Sequence, residues 1–147
     1  PACREVGLSL LYLGEAEEAV RWFRQADLSG PSDPARWTWL QGLGRALLHL
    51  GRDAEAVAVL RTLVDCHPDW PIGHGLLAAA LAGAGAEEAA RERFAEFAAR
   101  APAPEDRSPA RLVPVPRERL AGAYVAGDER LARRFMAMEA ALASLPA

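Results

Sequence analysis

One arrangement of small and large apolar residues occurs three times in the 147-residue chain and limits what it can become. Its clearest copy runs from Trp37 to Trp70: Leu40-x2-Leu43-Gly44-x2-Leu47, then Gly51, then Ala56-x3-Leu60, then Pro68. Leucines three and four residues apart line one side of a helix, and the stripe after Gly51 begins a second helix. Gly44 and Ala56 are small where two such helices cross closely, while Leu40, Leu43, Leu47, Leu60 and Leu63 fill the space beside the crossing. A helix pair of this size cannot bury its apolar face alone, so it needs neighbours of its own kind.

The chain supplies them. Cys3-x2-Val6-Gly7-x2-Leu10, Gly14, Ala19-x3-Phe23 and Pro31 repeat the arrangement upstream, and His74-x2-Leu77-Ala78-x2-Leu81, Gly85, Ala90-x3-Phe94 and Pro102 repeat it downstream. Gly14 and Gly51 are 37 residues apart, and Gly51 and Gly85 are 34 apart. The longer interval is absorbed by Ser29-Gly30-Pro31-Ser32-Asp33-Pro34, where the spacing predicts a turn with Asp33 as N-cap and Pro34 at the first helical position. Helices are expected over 2–13 and 15–28 in the first unit. Each second helix opens with acid, Glu15, Glu17 and Glu18, then Asp53 and Glu55, then Glu87 and Glu88, placed to favour the helix dipole and to cap its first N–H groups.

This skeleton resembles the tetratricopeptide repeat, whose period is about 34 residues. The resemblance implies an all-α fold, a right-handed superhelix of helix-turn-helix units spanning 2–31, 37–70 and 71–104. After Pro102 the pattern breaks: residues 105–116 read as a proline-rich connector. Residues 117–147 read as a degenerate fourth repeat or, preferably, a capping helix pair, 117–126 and 129–145, turning at Gly127-Asp128. Only Ala132-x3-Met136 keeps the motif there, and terminal repeats are atypical because one side meets water.

The same resemblance implies a function. First helices of this family line a concave face that holds an extended peptide or a helix of another protein. Carried onto this sequence, that face consists of Arg4, Leu8, Leu11, Tyr12, Thr38, Gln41, Arg45, Leu48, His49, Ile72 and Ala79. Its leucines make it more apolar than bare surface requires, which fits either a partner groove or burial under the C-terminal helices folding back. The family's clamp for chaperone C-terminal carboxylates uses Lys and Asn, and this chain has neither; Leu8, Gly42, Ile72 and Leu76 stand where clamp residues would be. The expected role is a protein-interaction scaffold without catalysis, cofactor or metal, in a larger protein. The alternatives are a structural or oligomerisation solenoid, with self-association through the same faces, or the regulatory domain of a larger enzyme.

Composition narrows the field further. Net charge is -3, and the arginines after residue 105 are interleaved with acids and lack alternating aromatics, which argues against nucleic acid. No apolar run is long enough to span a bilayer. The start, Pro1-Ala2-Cys3-Arg4, has neither an initiator Met nor a signal pattern and is taken as a piece of a longer protein. All basic residues are Arg, as in GC-rich bacterial coding. Two cysteines make no disulfide framework and point to a cytoplasmic chain, with a periplasmic one compatible. Cys66, His67 and His74 match no zinc spacing and are expected as core cysteine and packed histidine. Gly83-Ala-Gly85-Ala lacks the preceding strand and following Lys of a phosphate loop. The tryptophans, Trp22, Trp37, Trp39 and Trp70, are expected to pack between units, with Trp37 or Trp39 available to a partner.

Overall fold

The computed structural model describes residues 2–101 and 121–144. Within them the chain forms seven helices: α1 (Ala2–Tyr12), α2 (Ala16–Ser29), α3 (Arg36–His49), α4 (Asp53–Cys66), α5 (Pro71–Gly83), α6 (Glu87–Arg100) and α7 (Gly122–Ala143). There is no strand among the described residues. The first six form three pairs, α1 with α2, α3 with α4 and α5 with α6, stacked so that α2 packs on α3 and α4 on α5. The odd-numbered helices also touch one another, α1 with α3 and α3 with α5. Stacked helix pairs that meet only their neighbours make a solenoid.

Each pair turns in the same way. Gly14, Gly51 and Gly85 have φ of 83°, 77° and 85°, the left-handed region that side chains disfavour. The residue after each glycine donates back across the turn, Glu15 to Leu10, Arg52 to Leu47 and Ala86 to Leu81, all at 2.9 Å. These bonds satisfy carbonyls that the helix end would otherwise leave open.

Large side chains of the even helices fill places where odd helices lack a Cβ. A Cβ at Gly42 would lie 2.5 Å from the Phe23 ring and one at Gly7 2.8 Å from it, so Phe23 is wedged between the first and second units. A Cβ at Gly44 would meet Leu60 at 2.4 Å. Phe23 and Leu60 are fully buried as a result. The first unit departs from the others on its outer side. Glu5 and Ser9 are exposed where Gly42 and Ala46, then Leu76 and Ala80, are buried against the preceding pair, so this face meets water.

Three local expectations are corrected. Helix α3 begins at Arg36, not Pro34: the Asp33 carboxylate accepts the Ala35 N–H at 2.7 Å and forms a turn before the helix rather than its cap. None of the first-turn acids of α2, α4 and α6 caps its helix; Glu17 instead pairs with Arg52 and Glu55 with Arg24 across units, while Arg52 also holds Glu55 within its own unit. The expected turn at Gly127-Asp128 is absent, and α7 runs straight through it for 22 residues. Gly127 serves close approach, since a Cβ there would sit 1.9 Å from His49 Nδ1. The connector at 105–116, and 117–120 of the expected helix, lie outside the described residues.

Gly85 separates backbone cost from crowding, because a Cβ there would meet nothing within 4 Å. Gly85→Ala is expected to lower stability by about 1 kcal/mol through its left-handed backbone alone. Urea unfolding should show a lower midpoint with an unchanged slope.

Candidate protein-binding face

The odd helices bring the expected face together, and the structure divides it in two. Arg4, Leu8, Thr38, Gln41 and Ile72 are half-buried and reach the surface. Two of them are already engaged: Gln41 Oε1 accepts the Trp70 indole N–H at 2.6 Å, and the Thr38 hydroxyl donates to the Ala35 carbonyl at 2.7 Å. Arg4 pairs with Glu5 at 2.8 Å. Leu11, Arg45, Leu48 and Ala79 are instead buried, at 0%, 5%, 2% and 0% exposure, so they are not surface contacts in this state. Tyr12 and His49 lie between the two groups and are half-buried.

Helix α7 lies over this second part. Tyr124 meets Tyr12 edge-on with ring centroids 5.9 Å apart, and it lies 4.3 Å from the His49 ring. The Ala121 N–H donates to the Tyr12 carbonyl at 3.3 Å. Farther along, Arg134 forks the Asp53 carboxylate with two bonds of 2.9 Å and donates to the Ala79 carbonyl at 3.0 Å. Phe135 then packs 5.8 Å from both Phe94 and Phe97, covering the end of the third pair. A single helix therefore spans all three units, crossing the turns at Gly14 and Gly51 first and covering α6 last.

Burial under α7 sets the electrostatics. The His49 imidazole is pushed down from 6.5 to about 4, first by burial and then by the charges of Arg45 and Arg130. Burial also pushes the Tyr124 phenol up to about 12, with Asp128 and Tyr12 adding and Arg45 opposing. Arg130 is lowered by burial and by Arg134, while Asp53 opposes the shift. Among the described residues, Arg45 Nε, His49 Nδ1 and the Tyr124 hydroxyl are buried without a hydrogen-bond partner.

The opposite edge of the stack carries an aromatic group. His67 stacks on Trp37 with centroids 5.0 Å apart, and Trp70 is tilted 5.6 Å from Trp37. Trp39 is buried, and its indole N–H donates to Asp27 at 3.0 Å. Arg36 grips that carboxylate at 2.7 and 3.1 Å, and this contact chiefly holds Asp27 below its usual range. Trp22 is 37% exposed, so it is not packed between units. Cys66, expected in the core, is exposed at the end of α4, because the helix face it occupies has turned outward there. His74 is buried as expected, with Nε2 2.7 Å from the Pro68 carbonyl. No cluster of three or more His, Cys, Asp or Glu is placed to hold a metal among the described residues. No helix among them is long and apolar enough to cross a membrane.

Stacked helix pairs with left-handed glycine turns and a continuous odd-helix face define a helical repeat protein. Residues 10–80 match the tetratricopeptide repeat family, and over that stretch the chain is a tetratricopeptide-repeat array. Repeats of this family generally mediate protein–protein interaction, and the family is typically non-catalytic. No curated protein matches the chain.

The His49 shift predicts a pH dependence with a definite sign. His49 is lower in the folded state than its unfolded 6.5, so its stabilising neutral form is fully present above that value and is lost as pH falls toward about 4. Between pH 7.5 and pH 5 the loss should be about 2 kcal/mol. Urea midpoints at the two pH values should differ less in His49→Gln, whose remaining slope reports His74, also lowered by burial.

Proposed function

We propose that the chain is a protein-interaction module that binds a peptide or helix of a partner on its odd-helix face, as a non-catalytic part of a larger protein. The units at 2–31, 37–70 and 71–104 would form the scaffold and the segment after 105 its cap. The supporting observation is the continuity of the face. Because α1, α3 and α5 touch in order, Leu8, Gln41 and Ile72 come from three units yet remain half-buried at the surface. Apolar side chains left at a surface beside Arg4 and Gln41 suit a partner with alternating apolar and polar side chains.

The test uses residues whose substitution spares the core. Leu8→Glu with Ile72→Glu should leave helicity unchanged by circular dichroism and lower retention of the partner at least about ten-fold, one such loss corresponding to about 1.4 kcal/mol. Affinity capture from lysate of the source organism, native against double variant, provides the comparison. Identical capture by both folded proteins would place binding elsewhere.

A further inference from the structure

The middle unit carries a charge that its packing does not need. Arg45 lies on α3 where the first and third units have Leu8 and Ala79, and Ala79 is fully buried. An apolar side chain therefore satisfies this position, yet the chain places a guanidinium there and leaves it 5% exposed. Among the described residues Arg45 forms no ion pair and no side-chain hydrogen bond. Its Nε is enclosed without a partner, while its two terminal nitrogens keep a little contact with water, so the fork can be reached from solvent. A cation buried in this way is costly unless an anion answers it.

Nothing around it supplies that anion. His49, one turn along α3, is held neutral by burial and by the fields of Arg45 and Arg130. The nearby acids are committed elsewhere: Arg134 grips both oxygens of Asp53, and Asp128, whose charge reaches the Tyr124 phenol, forms no ion pair with Arg45. Above Arg45 stands Tyr124, 1% exposed, whose hydroxyl feels the Arg45 charge and has no partner. Two enclosed donors on facing helices, with a second guanidinium beside them, describe a receptor for a small oxyanion.

We propose that the junction of α3 and α7 is a binding site for a phosphate group, gripped by the Arg45 guanidinium and the Tyr124 hydroxyl, with Arg130 as an outer charge. Helix α7 stays in place and supplies two of the three groups, so the bound anion joins α7 to the middle unit. Enclosure restricts the ligand to the free ion or the phosphate end of a small metabolite. The site is separate from protein binding at Leu8 and Ile72, and neither result decides the other.

The probe is inorganic phosphate at millimolar concentration, titrated into the full chain against chloride at constant ionic strength, above the range in which His49 titrates. The Arg45 Nε–H resonance should move and saturate, with calorimetry giving the same Kd. Arg45→Met keeps length without charge at a position where Leu8 and Ala79 serve the other units, so helicity should persist while phosphate binds at least about ten-fold more weakly. Tyr124→Phe keeps the ring against Tyr12 and His49 and should also weaken binding about ten-fold, a test that holds even if Arg45→Met does not fold. Glycerol phosphate binding at least as tightly as the ion assigns the site to a metabolite, and weaker binding assigns it to free phosphate. An Arg45 Nε–H resonance that phosphate leaves unmoved overturns the proposal. So does equal stabilisation of the native chain and both variants, which would be the general salting effect of phosphate.

Discussion

Everything in the stack depends on how closely its helices approach, and that is set by side chains of even helices lying where odd helices have none. Phe23 can touch both Gly7 and Gly42 only because neither carries a Cβ, so one ring joins two units. Leu60 on Gly44 repeats the arrangement one unit later. Buried contacts of this kind are dense enough that a single added methyl must displace a neighbour. The spacing they impose also brings α1, α3 and α5 edge to edge, and their shared face follows from the packing.

The face is then modified by a helix distant in sequence. Where α7 crosses, charged and aromatic groups of the array lose water, which explains why His49 resists protonation and why the Tyr124 phenol resists ionisation. Where α7 does not reach, Gln41 remains half-buried and is fixed by the Trp70 indole. One part of the face is thus held by polar contacts to its own units, and the other lies under a helix of the same chain. Arg134 ties α7 to two units at once through its bonds to Asp53 and Ala79.

The unit pattern was legible because its causes are local. A glycine four residues past the motif's closing leucine, Leu10, Leu47 or Leu81, announces a left-handed turn, and Gly14, Gly51 and Gly85 all make one. Small residues beside leucines announced the crossings at Gly44 and Gly7 for the same reason. What sequence reading missed depends on contacts between residues far apart. Gly127-Asp128 has the composition of a turn, yet Gly127 is small for the sake of His49, 78 positions earlier. Arg45, Leu48 and Ala79 look like surface on their own helices and are buried in the assembled molecule. The spacing of Tyr124, Gly127, Leu131, Phe135 and Met138 at threes and fours did carry a signal, a continuous apolar stripe running through the supposed break. Cys66 was misplaced because a position at the last turn of α4 has no later turn to cover it.

The bond from Ala121 to the carbonyl of Tyr12 has a kinetic consequence. An array of pairs that touch only their neighbours can grow from any unit, with every contact short in sequence, and such chains fold fast. The contact between α7 and the first unit closes a loop of more than a hundred residues, whose entropy must be lost before that contact forms. The six-helix stack is therefore expected to form ahead of its contacts with α7, so that its odd-helix face would stand uncovered until the long loop closes.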